Sequence, residues 1–254
     1  MKYDKVVTGG PCWVELGTAD PVAAKEFYRG LFGWRAETDP RPEAGGYTML
    51  LRGEEPVAAL SPLYAPGQPT AWGVSFAVPD TDAAVAAVSR AGGRLVVEPV
   101  DVLDAGRFAV AADPTGAVFA LWQARAFHGA AVINEAVSLG WVELHTRDVP
   151  AATAFYREVF GWSLNAGTGY SQWGIDGADF GGMTALGEEF GPEVPSHWLP
   201  YFAVADVDAT VRRAEGLGSR ALMGPMDLAG GRRIAVLGDP QGAAFGVCPA
   251  GTDG

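Results

Sequence analysis

The sequence predicts an α+β protein of two tandem domains, each built from a pair of βαβββ modules. Two recurrences and one periodicity predict it. WVELGTADPVAAKEFYRGLFGW at 13–34 returns as WVELHTRDVPAATAFYREVFGW at 141–162, with 14 of 22 positions identical. TAWGVSFAVPDTDAAVAAVSRAGG at 70–93 and GRFAVAADPTGAVFALW at 106–122 both return 126 positions later. Within each copy the hydrophobic period switches between two residues and helical spacing, in the order strand, helix, three strands, and does so twice. A period of this length is too long for a solenoid and suits a duplicated domain. The domains are placed at 1–124 and 138–254, with 125–137 as linker.

The opening strand alternates Trp13, Glu15 and Gly17 with Val14, Leu16 and Thr18. Asp20 and Pro21 supply an N-cap and a first-turn proline, and Ala23, Ala24, Phe27, Tyr28, Leu31 and Phe32 then recur at helical spacing up to Gly33. Short strands are expected at 34–37, 47–51 and 57–61, each bounded by Gly or Pro. A second module begins at Trp72 with a strand to Val78. Its helix is capped near Asp80 and expected to bury Ala83, Ala84, Ala87 and Val88, and strands follow at 94–100, 106–112 and 117–122. Asp113-Pro114-Thr115-Gly116 and Asp239-Pro240-Gln241-Gly242 set a turn that joins the last two strands of each domain.

Of the 254 residues 48% are apolar and 19% charged, the composition of a chain with a substantial core. A formal charge of -12 repels phosphate backbones and anionic lipid, so neither nucleic acid nor membrane is an expected partner. The start MKYDKVVTGGPCW lacks the apolar stretch of a secretory signal, and the expectation is a cytoplasmic protein. Cys12 and Cys248 read as free thiols, without Cys or His neighbours at metal-ligand spacing. No nucleophile signature appears, and the Gly-Gly pairs are turns that match no phosphate loop.

The paired βαβββ modules, the D-x-x-x-A-x-x-FY-x-x-x-FGW helix and the DPxG turn resemble the vicinal oxygen chelate superfamily. That superfamily holds glyoxalases, extradiol dioxygenases, fosfomycin-modifying enzymes and bleomycin-binding resistance proteins. The resemblance implies two glyoxalase/bleomycin-resistance-like domains, each curled around a cleft. It also implies a divalent metal held at inward strand positions. Those positions fall here on Trp13 and Trp141, on or near Gly73 and Leu199, and on Ala120 and Gly246; the fourth strand offers Val57 to Leu60 and Gly181 to Thr184. None of these binds a metal, so no cofactor is expected.

What remains is a cleft furnished with aromatics and a few polar groups, as small-molecule sites usually are. Glu143 and His145 share a strand face with Trp141, and with His197 they form a candidate acid–base group confined to the second domain, where the first has Gly17 and Ala71. The same three residues leave a displaced divalent-metal site open as an alternative. Trp13, Glu15, Tyr47, Trp72, Trp141, Tyr170 and Trp198 are the candidate ligand-binding residues. Arg107 and Arg233 occupy matching positions, as solvated surface groups or as anchors for an anion. The first expectation is a metal-independent hydroxylase-like, cyclase or isomerase-type enzyme acting on an aromatic or polycyclic small molecule. The alternative is a protein that sequesters a drug or metabolite, for which the charge fits a cationic aromatic ligand. Either could work as a monomer with pseudo-twofold domain pairing or as a homodimer.

Overall fold

The computed structural model describes residues 7–167, 169–188, 190–228 and 231–251. The first domain runs β1 (Pro11–Thr18), α1 (Pro21–Phe32), β2 (Arg35–Thr38), β3 (Thr48–Arg52), β4 (Glu55–Pro62), β5 (Ala71–Ala77), α2 (Thr81–Arg90), β6 (Arg94–Val102), β7 (Gly106–Ala112) and β8 (Val118–Ala124). The second repeats it as β9 (Leu139–Thr146), α3 (Val149–Phe160), β10 (Ser163–Ala166), β11 (Tyr170–Ile175), β12 (Ala178–Ala185), β13 (His197–Val204), α4 (Val207–Gly216), β14 (Arg220–Asp227), β15 (Arg233–Gly238) and β16 (Ala244–Pro249). Each domain forms one eight-stranded sheet, ordered β2-β3-β4-β1-β5-β8-β7-β6 and β10-β11-β12-β9-β13-β16-β15-β14. The two modules of a domain meet where β1 pairs antiparallel with β5, and β9 with β13. This is the α+β tandem architecture that the repeats predict.

The helix signals act as expected. Asp20 accepts hydrogen bonds from the Val22 and Ala23 amides, Pro21 opens the helix, and Gly33 closes it in the left-handed region at φ 75°. Of the expected buried face, Ala24, Phe27, Tyr28, Leu31 and Phe32 are buried and Ala23 is exposed. In α2 the buried positions are Thr81 and Val88, and Ala83 is exposed. No helix among the described residues is long and apolar enough to cross a membrane.

The main core lies between the convex faces of the two sheets, and each domain's first helix packs into it against the other domain. From α1, Phe32 meets Phe202 of β13 at 5.3 Å and Tyr28 meets Phe245 of β16 at 5.9 Å. From α3, Tyr156 meets Phe119 of β8 at 5.8 Å and Phe160 meets Phe76 of β5 at 5.6 Å. Rings that bury this much surface dominate packing energetics. The tryptophans of the two Phe-Gly-Trp groups cross the seam too, Trp34 donating to the Val137 carbonyl at 2.8 Å and Trp162 to that of Gly9 at 2.9 Å.

The Phe-Tyr and Asp-Pro-x-Gly motifs explain each other at this seam. Asp239 uses Oδ1 to accept from the Gln241 and Ala243 amides, which shapes its own turn, and uses Oδ2 to accept from Tyr28 of the other domain at 3.1 Å. Tyr28 in turn accepts from Trp72 Nε1 at 2.9 Å. Related by the internal symmetry, Tyr156 accepts from Trp198 at 2.8 Å and faces Asp113, whose Oδ2 has no aligned hydrogen bond. Replacing Tyr28 by Phe strands a buried carboxylate oxygen and a buried indole N–H. We expect Y28F to cost about 1–3 kcal/mol in urea unfolding with an unchanged far-UV spectrum; a loss near zero would remove the seam bond from the account.

Candidate functional site

With the convex faces consumed by the seam, the concave faces form two cups, each with its own small apolar cluster. Alternation along β1 sends Val14 and Leu16 to the seam and Trp13 and Glu15 into cup 1, opposite Ser75 and Gly73 of β5. Trp13 donates to the Tyr47 hydroxyl at 2.9 Å. The Glu15 carboxylate is bonded by Tyr47 and Ser61, with Tyr64 close by. Burial pushes the Glu15 carboxyl above its ordinary range, and the Ser61 and Tyr47 hydroxyls offset part of that rise. Phe127 from the linker lies edge-on to Trp13 at 4.9 Å and against Trp122 at 6.1 Å, and Trp122 Nε1 donates to the Phe127 carbonyl at 3.0 Å.

Cup 2 starts from the same plan and diverges. Trp141 donates to Tyr170 at 2.9 Å, as Trp13 does to Tyr47. Glu143 is buried, accepts from the Tyr201 hydroxyl at 3.3 Å and is also bonded by Tyr170. His145 Nε2 lies 2.8 Å from Glu143 Oε1, yet the ring is turned so that neither of its buried nitrogens makes an aligned hydrogen bond. The register of β9 against β13 sets His197 directly opposite His145, and the two imidazoles stack at 4.8 Å and 7°. His197 Nδ1 is 2.9 Å from the Pro195 carbonyl, which assigns its proton to Nδ1. Burial pulls the His197 pKa down, the Pro195 carbonyl opposes this, and the facing His145 adds to it. A buried carboxylate beside an imidazole is an arrangement that can take and return a proton.

Cup 2 also carries an apolar wall and a cation. Met223 and Met226 stand opposite Val236 and Ile234 on the inner wall, 37% and 42% exposed. The Arg232 guanidinium sits over the Trp141 ring at 5.3 Å. In cup 1 the position equivalent to Arg232 is Gly106, where a side chain would strike Trp122.

Two candidate ligand-binding residues are displaced from the cups. Trp72 and Trp198 point to the convex side, into the seam core, because they neighbour Gly73 and Leu199 on alternating strands. Their indoles hold Tyr28 and Tyr156. Trp13, Glu15 and Tyr47 come together in cup 1, and Trp141, Tyr170, Glu143, His145 and His197 in cup 2. Arg107 and Arg233 are ion-paired, to Asp82 and Asp101 and to Asp208 and Asp227. Sequence reasoning missed Tyr201, Ser61, Tyr64, Arg232 and Phe127; only Tyr201 had a signal, its two-residue spacing from Leu199. Both cysteines are buried and free. Burial raises both thiols, Cys248 to about 11, which leaves no thiolate to attack a substrate.

The metal implied by the resemblance does not fit these cups. Cup 1 offers an indole, a glycine and Ala120; in cup 2 a Cβ at Gly246 would already overlap the Tyr201 ring. Nor do Glu143, His145 and His197 serve as a displaced site. Imidazole lone pairs lie in the ring plane, so two parallel stacked rings do not converge on one ion. Among the described residues no group of three or more His, Cys, Asp or Glu is placed to hold a metal ion.

The family model of the Glyoxalase/Bleomycin resistance protein/Dioxygenase superfamily matches residues 11–121 and 138–247. The chain belongs to that superfamily. It is 42% identical over 248 residues to the glyoxylase-named protein CFP32 of Mycobacterium tuberculosis (strain CDC 1551 / Oshkosh), covering 94% of each chain. It is 41% identical over 271 residues to the anthracycline biosynthesis protein DauV of Streptomyces sp. (strain C5), covering 97% of each. Among solved structures it resembles the 2,3-dioxygenase LapB from Pseudomonas sp. KL28, with TM-score 0.68, 14% identity and coverage of 96% and 93%. A Mn(II)-bound glyoxalase from Novosphingobium aromaticivorans gives TM-score 0.67 at 17% identity, with coverage of 95% and 82%. These structural likenesses show the fold.

The raised Glu15 pKa has a definite sign in stability. The folded state holds the Glu15 proton more tightly than the unfolded chain, so stability falls as pH rises from about 4.5 through the folded value. E15Q is expected to raise Tm at pH 8 and to match the parent near pH 4, in thermal unfolding across that range. An E15Q advantage that persists unchanged at pH 4 would contradict the burial of this carboxylate.

Proposed function

We propose that this protein is a metal-independent enzyme of secondary metabolism that takes an aromatic or polycyclic small molecule into cup 2. The observation that carries the reading is the Glu143–His145–His197 group, in which Glu143 is bonded to Tyr170 and Tyr201, set beside an exposed apolar wall. Cup 1, with Gly17 and Ala71 at the histidine positions, has no counterpart. Trp141 and the two methionines supply flat and adaptable apolar surface for a planar ligand. Glu143 is the proton acceptor, His145 stands beside it at 2.8 Å as its partner in proton transfer, and His197, whose pKa burial lowers, stacks on and positions the His145 ring. The names of relatives such as DauV, tied to anthracycline biosynthesis, support a role on polycyclic aromatic molecules in hydroxylase-like, cyclase or isomerase-type chemistry. Two free thiols fit a reducing cytoplasm. The seam pairs the domains within one chain, as suits a protein that acts as a monomer.

A second reading is sequestration without turnover, and the methionine-lined wall favours it because such surfaces adapt to bulky ligands. One experiment separates the two. Polycyclic phenols and quinones, beginning with 1,8-dihydroxyanthraquinone, are incubated with the parent protein and with E143Q/H145N, and products are followed by mass spectrometry. For an enzyme the double variant keeps its fold and binding while turnover falls by roughly 10²–10⁴. Undiminished turnover in the variant removes the acid–base roles, and binding without turnover in the parent leaves the sequestering reading.

A further inference from the structure

We propose that Arg147 is a positioning residue for the paired histidines, acting on His197 through the chain that joins β12 to β13. The role rests on the reading of Glu143, His145 and His197 as an acid–base group, whereas the geometry behind it involves no ligand. Arg147 follows the last residue of β9 and stands two positions beyond His145. Its Nη2 donates to the carbonyls of Gly191 at 2.6 Å, Val194 at 3.0 Å and Phe190 at 3.2 Å, and its Nη1 to those of Gly187 at 3.3 Å and Leu186 at 3.5 Å. Water competes for any single bond of this exposed side chain, so it is the convergence of five carbonyls on one planar fork that fixes a geometry. Both ends of the joining chain are tied to the same strand end: the Leu186 amide donates to the Thr146 carbonyl at 2.8 Å, and the Arg147 amide donates to Ser196 Oγ at 3.1 Å.

The path from this knot to the histidines is two residues long. Val194 is the last of the five acceptors, and the next carbonyl, that of Pro195, is the one 2.9 Å from His197 Nδ1. Pro195 has a fixed φ, so holding Val194 on one side and Ser196 on the other aims its carbonyl. That carbonyl selects the Nδ1–H form of His197 and sets the plane of its ring. The stack at 4.8 Å and 7° passes the orientation to His145, whose Nε2 is 2.8 Å from Glu143 Oε1. The first domain lacks the histidines and the arginine together. Ala19 stands in place of Arg147, with Gly17 and Ala71 in place of the histidines. Its shorter joining chain is held by neutral side chains, Gln68 accepting from the Tyr64 amide at 2.9 Å and Thr70 from that of Ala19 at 3.4 Å. A knot that served only to tie down a loop would have no reason to keep company with the histidines.

The test reads the rings directly. The protein has three histidines, and exposed His128 in the linker serves as the internal reference. Side-chain 15N spectra of the ligand-free parent, R147A and R147K are recorded at pH 8, where His197, with its lowered pKa, is neutral, and signals are assigned from H145Q and H197Q. In the parent we expect His197 protonated on Nδ1 and bare on Nε2, with a ring-to-ring NOE to His145. In R147A we expect His197 to pass to a mixture led by the Nε2–H form and the NOE to be lost, while His128 and the far-UV spectrum stay as they were. R147K keeps the charge but offers one ammonium where five carbonyls need a fork, and the same loss is expected; should R147A fail to fold, R147K decides. The parent tautomer and NOE retained in either folded variant would overturn the proposal. The spectra need no substrate, so their failure leaves the E143Q/H145N turnover comparison standing, and a failure of that comparison leaves the spectra to be read on their own.

Discussion

The structure depends on a reciprocal exchange at the seam, in which each domain packs its first helix against the second module of the other. Tyr28 and Asp239 show why this holds the rest in place. The aspartate that shapes a turn in one domain also accepts from a tyrosine of the other, so turn, helix and domain orientation are set together. Around it Phe32, Trp34, Phe202 and Phe245 form one continuous aromatic block drawn from both domains. Buried polar groups of this kind are costly when left half-made, which makes the arrangement selective for one docking geometry.

That exchange decides where chemistry can occur. An eight-stranded sheet has two faces, and the seam takes one in each domain, leaving the other to carry the cup. The alternation of β1 and β9 then divides every motif into halves. In WVEL the Trp and Glu line a cup and the Val and Leu join the seam.

The two cups show how one duplicated plan is turned to different ends by a few substitutions. Gly17 and Ala71 become His145 and His197, and the strand register stacks them. Ala120 becomes Gly246, and the space it yields takes the Tyr201 ring. Gly106 becomes Arg232, which covers Trp141. In cup 1 the covering group is Phe127. Each replacement is small in sequence, and each changes what the concave surface can hold.

The sequence by itself determined the duplication, the element order, the helix caps and the presence of Glu143, His145 and Trp141 on one strand face. Those features are local: period, cap and turn residues act within a few positions, and a strand's alternation fixes side-chain direction without reference to its neighbours. The tertiary structure alone decided which face of β5 and β13 looks into the cups, and so sent Trp72 and Trp198 to the seam and Tyr201 to the site. It alone joined the Phe-Tyr helix to the Asp-Pro turn of the other domain, and it alone brought a linker phenylalanine onto Trp13. These are contacts between residues far apart in the chain, and no local pattern encodes which distant surface a buried face will meet.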